Sequence, residues 1–315
     1  MRRAHLPDYA QFGKTSLQKC TTDPACGITR REHASNATTA SRASTRGSSG
    51  SKRSGARLYV EDTGTGQPVV LLHSSGLSGR QWRSLSSELV RGGRRAVIPD
   101  LSGHGQSDPW PEPEPFSFRT DVEKVAALVR SLERAHVVGH SYGGLIALHT
   151  ALAEPRAIAS LHLFDPVAFG VLDPTLDRDA RAVLEELDLS WGPSAADRER
   201  WLRSFVDFWG GGGSWDALRE PVRAEFRRVA WVVREGVASL TTDATPLSAY
   251  RELRFPVHLM TGERSPLPAR RVTDRLVEGL PGARLDVVPG AGHLAPVTEA
   301  ATVARLISEA LQAPG

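Results

Sequence analysis

The pentapeptide Gly139-His140-Ser141-Tyr142-Gly143 sets a serine between two glycines. A hydroxyl is a poor nucleophile at neutral pH. It becomes a good one when a neutral imidazole within hydrogen-bond reach takes its proton as the new bond to a carbonyl carbon forms. The glycines say how such a serine is presented. In a sharp strand-to-helix turn the serine is held in a strained backbone conformation with its hydroxyl projecting. Side chains two positions to either side would then collide with the neighbouring strand and helix. The surroundings fit that turn: Val137-Val138 ends a short apolar strand before the serine, and residues 145–152 have helical apolar spacing after it.

Positioning this serine is the task of the chain from Arg57 onward. Short β-rich runs lie at 69–72, 96–98, 137–138, 161–164, 257–260 and 285–288, with helix-length stretches at 85–90, 122–132, 145–152, 272–280 and 303–311. Such alternation predicts an α/β architecture, a mainly parallel sheet flanked by helices. Residues 172–253 interrupt it: they hold no convincing strand, only charged helical sequence broken at Gly192-Pro193 and at residues 210–213. They are expected to form a helical cap over the carboxyl edge of the sheet, where open α/β sheets bind ligands. The division expected is therefore 57–171 and 254–315 as the two parts of the core, with 172–253 as the cap. Five of the seven Trp fall in the cap, and Trp201, Phe205 and Trp209 share one helical face. That stripe either packs the core of the cap or walls an apolar substrate pocket.

Eight histidines follow residue 56, and placement chooses among them. His293 ends the loop Gly290-Ala291-Gly292-His293 after the last predicted strand, at the edge that presents Ser141, so it is the candidate general base. His149, His162 and His258 fall inside a helix and two strands, where structural roles are expected. His104 sits in a glycine-bounded loop that it would brace. His140 precedes the serine with its ring expected to point away from the hydroxyl.

Five stretches occur in the order found in the α/β-hydrolase fold family: residues 68–82 (PVVLLHSSGLSGRQW), 98–108 (IPDLSGHGQSD), 135–145 (AHVVGHSYGGL), 161–166 (LHLFDP) and 288–293 (VPGAGH). From Leu58 to the C-terminus the chain resembles that family. The resemblance implies a catalytic triad with Ser141 as nucleophile and His293 as base, and an oxyanion hole from the backbone N–H groups of Tyr142 and of Ser75 in the loop after His73. Two departures stand out. His73 is followed by Ser74 where the family commonly has glycine. The turn after strand seven, which usually carries the triad aspartate, reads Gly262-Glu263-Arg264-Ser265. The fold's alternative is a carboxylate after strand six, where this chain has Asp165. The acid is therefore Asp165, or Glu263, or the pair Ser141–His293 works with water instead. Asp165 also has a purely structural reading, since Asp-Pro is turn chemistry. Asp100 and Asp108 are expected to shape their loop.

The resulting expectation is a serine hydrolase that forms an acyl-enzyme from an ester, thioester, lactone or activated carbon–carbon substrate, small and apolar. A lyase or perhydrolase-like reaction on the same residues and a non-enzymatic binder on the same scaffold are the alternatives. No cofactor and no metal is implied. The net charge of +3 raises the question of nucleic acid, but residues 1–56 hold ten Lys/Arg against three Asp/Glu, whereas residues 57–315 hold 29 against 33. The basic charge belongs to a Ser- and Arg-rich tail with nothing to bury, expected to be disordered, and nucleic acid is not an expected partner. Both cysteines, Cys20 and Cys26, lie in that tail. No apolar run approaches the ~18–20 residues of a membrane span and the N-terminus lacks a secretory stretch, so a cytoplasmic protein is expected.

Overall fold

The computed structural model describes residues 28–29, 56–187 and 190–312. The strands are β1 (Ile28–Thr29), β2 (Leu58–Gly64), β3 (Pro68–Leu72), β4 (Arg95–Pro99), β5 (Ala135–His140), β6 (Ile158–Phe164), β7 (Val257–Gly262) and β8 (Arg284–Val288). They form one sheet in the order β1-β2-β4-β3-β5-β6-β7-β8, parallel throughout except for the antiparallel pair β2–β4. Two features differ from the sequence reading. β2 had no predicted counterpart: its LYVEDTG sequence is half exposed and carries acids, so it lacks the continuous apolar run of the buried strands. Within the extension expected to be disordered, Ile28 and Thr29 pair with Leu58 and Tyr59. Residues 1–27 and 30–55, with both cysteines, lie outside the described residues.

Successive residues of the inner strands alternate between two apolar layers. Leu72, Val97, Val137, Leu163 and Leu259 face one side. There they meet α2 (Phe118–Arg130), α3 (Tyr142–Ala153) and α10 (Leu267–Gly279). Leu71, Ile98, Val138, Phe164 and Met260 face the other, against α1 (Arg83–Arg91) and α12 (Ala300–Gln312). Both faces are dry, as a parallel sheet requires. The helix α3 is apolar all round and buried from Tyr142 to Ala151, which fixes the segment directly behind Ser141.

Between β6 and β7 the described residues form helices and no strand: α4 (Arg178–Glu185), α5 (Ala195–Gly210), α6 (Ser214–Ala217), α7 (Glu220–Arg228), α8 (Ala230–Thr241) and α9 (Leu247–Tyr250). The two breaks read from the sequence bound α5. Its start is a capping box, with Ser194 Oγ accepting from Asp197 N–H and the Asp197 carboxylate accepting from Ser194 N–H. Its end runs into Gly211 and Gly213, at φ of +90° and +84°. A short helix, α11 (Ala295–Thr298), follows His293.

Candidate active site

Ser141 sits between β5 and α3 at φ 54° and ψ −115°, a conformation a non-glycine residue adopts only when its surroundings impose it. The surroundings are backbone. A Cβ on Gly139 would stand 2.5 Å from the Gly143 carbonyl oxygen, and one on Gly143 2.4 Å from that of Leu72. Ser141 N–H donates to Phe164 C=O at 3.0 Å, tying the turn to the end of β6. Asp165, the next residue after β6, has φ 45°, and its N–H donates to Met260 C=O on β7. Strained non-glycine turns thus close two adjacent strands and aim Ser141 and Asp165 at one spot on the carboxyl edge.

His293 joins them. Its Nδ1–H donates to Asp165 Oδ2 at 3.1 Å, which leaves Nε2 to accept from the Ser141 hydroxyl at 2.9 Å. All three are buried: Asp165 has no exposed surface, His293 has 2% and Ser141 7%. Asp165 accepts two further hydrogen bonds, from Thr261 Oγ1 at 2.6 Å and from Ser265 Oγ at 2.5 Å. Ser265 occupies the position where an acid was missing, and its hydroxyl supports the carboxylate that came from the neighbouring strand. Glu263 is elsewhere: exposed, it accepts from Gly290 N–H at 2.7 Å and braces the turn ahead of His293.

A sequence profile of the alpha/beta hydrolase family matches residues 69–306, most of the chain. The chain belongs to that family. The 2-hydroxymuconate semialdehyde hydrolase of Pseudomonas sp. (strain CF600) is 28% identical over 287 residues, covering 82% of this chain and 91% of its own length. A pimeloyl-[acyl-carrier protein] methyl ester esterase of Methylococcus capsulatus is 31% identical over 275 residues, covering 80% and 97%. The solved structure of an esterase from Exiguobacterium antarcticum has the same fold, with a TM-score of 0.64 over 82% of this chain and 96% of that one at 19% identity. This α/β-hydrolase is accordingly an enzyme of the hydrolase class.

The two N–H groups expected to face an oxyanion belong to Ser75 and Tyr142, and among the described residues neither finds an acceptor. Tyr142 opens α3, so its N–H points out of a helix N-terminus. Its phenol is anchored by donating to the buried Asp121 at 2.9 Å, whose other oxygen accepts from Ser102 N–H. Ser74 fits the loop without a positive φ, so the lost glycine costs no backbone strain. Gly76 is the position that does need glycine: its φ is +73°, and a Cβ there would stand 2.0 Å from the Phe226 ring.

Two imidazoles hold this loop. His73 Nδ1–H donates to Ser74 C=O at 2.8 Å and its Nε2 accepts from Leu101 N–H at 2.9 Å. His104 Nδ1–H donates to Ser102 C=O at 2.9 Å and its Nε2 accepts from Gly76 N–H at 3.1 Å. Burial pushes each down to about 4, so both are neutral at pH 7 with one nitrogen free to accept. Asp100 accepts from Gly79 and Gln106 N–H, each at 2.7 Å, and shapes the adjoining turn.

Sequence reasoning missed one connection. Ser74 N–H donates to Gln81 Oε1 at 3.1 Å, Gln81 Nε2 donates to His140 Nδ1 at 3.1 Å, and His140 Nε2–H donates to His293 C=O at 2.8 Å. The loop of Ser74 and Ser75 and the loop of His293 are thereby linked through two buried side chains. Burial, then the neighbouring His293, holds His140 well below the usual imidazole range, so it carries the single proton this chain requires. His149 bonds Asp243 and His258 bonds Asp286, both away from Ser141.

Ser141 and His293 open on a narrow cavity of about 50 Å³. The core lines it with Ser74, Ser75 and Leu77, and the helices α5 and α7 add Phe205, Val206, Trp209 and Phe226. The Trp209 ring lies 4.5 Å from that of His293, centroid to centroid. The aromatic stripe of α5 is therefore shared: Trp201 packs on Trp191, in the segment before α5, while Phe205 and Trp209 wall the cavity. No helix among the described residues is long and apolar enough to cross a membrane.

Proposed function

We propose that this hydrolase cleaves carboxylic esters through an acyl-enzyme on Ser141. Ser141 Oγ adds to the ester carbonyl carbon as its proton passes to His293 Nε2. The carbonyl oxygen becomes an oxyanion facing the Ser75 and Tyr142 N–H groups, and Asp165 stabilises the imidazolium through Nδ1–H. Collapse breaks the bond to the alcohol oxygen, which leaves with the proton from His293. Water then enters, gives its proton to His293 Nε2 and adds to the acyl carbon, and the acid departs as the proton returns to Ser141.

The observation that carries this reading is the unbroken line from Ser141 Oγ through both His293 nitrogens to Asp165, buried beside a cavity with apolar walls. By their names, the relatives described above act on a methyl ester and on a semialdehyde, so thioesters, lactones and activated carbon–carbon bonds belong in the same substrate panel. The wild-type protein is expected to hydrolyse p-nitrophenyl butyrate and to be labelled by a fluorophosphonate. Ser141→Ala should lower turnover by about 10⁴-fold or more and abolish labelling with an unchanged near-UV circular dichroism spectrum. Labelling that persists in Ser141→Ala would overturn the nucleophile.

A further inference from the structure

Among the described residues two aromatic rings lie against that of His293: the Trp209 indole at 4.5 Å, centroid to centroid, and the His140 imidazole at 5.1 Å. The indole and the His293 ring are inclined by 33°. Rings so close and so nearly parallel meet face to face, which turns the negative face of the indole toward the imidazole. A cation within ~6 Å of the centre of such a face is attracted to it, most strongly where water is excluded. Both rings are buried.

The indole is held in place. Phe169 stacks on it at 6.3 Å with the planes 10° apart, and the Phe208 ring meets it edge-on at 4.9 Å. At the next position Gly210 brings the end of α5 close to the loop of His293: a Cβ there would stand 2.9 Å from Leu294 Cδ1.

Charge around the ring is sparse. Asp165 bonds its Nδ1–H, the Ser141 hydroxyl bonds its Nε2, and His140 is kept neutral by burial first and by His293 next. The side chains that α5 and α7 add to the cavity carry no charge, nor do Ser74, Ser75 and Leu77 of the core loop or Leu294 and Val297 beyond His293. Glu263 and Arg264, in the turn after β7, are exposed and bond Gly290. An imidazolium at His293 therefore meets one carboxylate and one aromatic face.

Resting on the ester-hydrolase reading above, we propose that Trp209 is a positioning residue for the reaction: its indole face holds the His293 ring and stabilises the imidazolium that forms when Ser141 gives up its proton and vanishes when that proton passes to the leaving alcohol. Through Trp209, α5 acts on the chemistry as well as on the shape of the cavity.

Fluorophosphonate labelling tests this without turnover, because there too Ser141 gives its proton to His293. Trp209→Leu, which keeps an apolar side chain, should slow labelling by about three- to tenfold. The acid limb of the labelling rate against pH should move to lower pH, since the charged ring has lost a stabilising face. Trp209→Phe should recover part of the rate. A series of ring-fluorinated tryptophans at position 209, nearly equal in shape and progressively poorer in negative charge on the face, should slow labelling step by step. A flat series, or a Trp209→Leu protein whose acid limb stays where it is in the wild type, overturns the proposal and leaves Trp209 a wall of the cavity. A graded series in a protein that is labelled on Ser141 but hydrolyses no ester supports the role of Trp209 and overturns the ester-hydrolase reading alone.

Discussion

The sheet edge and the helices above it meet over one cavity but contribute to it differently. At the edge, position is set by hydrogen bonds and backbone. Ser141 and Asp165 are held at positive φ, Asp165 accepts from three donors, and a chain of buried bonds runs from Ser74 through Gln81 and His140 to His293. From α5 and α7 the cavity receives Phe205, Val206, Trp209 and Phe226, apolar and aromatic side chains only. The ion pairs of those helices, such as Arg227 with Glu199 and Glu220, lie on the solvent side, where each contributes little. On the proposed mechanism, the core carries the chemistry and the helices, Trp209 apart, the shape, so damage to the two regions should separate into kcat and KM.

The sharpest test within the core sets two carboxylates against each other. Asp165→Asn should lower kcat by about 10³- to 10⁴-fold with KM little changed, since the imidazole loses the partner that fixes its tautomer and stabilises its charge. Glu263→Gln, which touches only the Gly290 turn, should stay within about twofold. The reverse pattern in steady-state kinetics would move the acid to Glu263.

A smaller effect is expected from the link between the loops. Gln81→Leu leaves Ser74 N–H and His140 Nδ1 without partners, costing about 1–3 kcal/mol of stability and roughly tenfold in kcat through misplacement of both loops. A lower melting temperature with kcat intact would reduce Gln81 to a structural role.

Acid should act on the core before it acts on the helices. His73 and His104 are pushed down to about 4 by burial, against an ordinary 6.5, and burial also holds His140 well below the usual imidazole range. Below pH 6.5 the unfolded chain binds protons these rings refuse when folded. Their contribution is therefore complete above pH 6.5 and is lost as pH falls toward 4. Urea midpoints at pH 7, 5.5 and 4.5 should decline in that order; a midpoint flat to pH 4.5 would show the rings protonating in place. Carboxylates of the helices, such as Asp216 and Glu220, are lowered by their Arg partners and titrate only below the ordinary carboxylate range.

The smallest change is expected from the helices. Phe205→Ala should raise KM for p-nitrophenyl butyrate a few-fold and leave kcat within about threefold, because the ring walls the cavity without touching the hydrogen-bonded line. A kcat loss as large as that of Gln81→Leu would erase the division between regions.

What could be read from the sequence followed from local rules. Gly139 and Gly143 announce the turn at Ser141 because only glycine fits against the backbone there, and the apolar runs announce five buried strands because both faces of a parallel sheet are dry there, with β8 half exposed. β2 escaped that rule, being a half-exposed strand with Glu61 and Asp62 in it. The contact between Asp165 and His293 could be raised only as one choice among several, since an aspartate before proline looks the same whether it closes a turn or orients a ring. Ser265 gave no sign that its hydroxyl supports Asp165, 100 positions away. Gln81 and His140 gave none either, their partners lying 59 and 153 positions apart. Links of that kind are set by tertiary packing, and no local pattern encodes them.

The most direct test is to stop the wild-type enzyme with acid during turnover of p-nitrophenyl butyrate, digest it and weigh the peptides. A butyryl group on the peptide containing Ser141, absent when Ser141→Ala is treated alike, is the predicted result. Steady hydrolysis with that peptide unmodified and the acyl group on another residue, or on none, would contradict it.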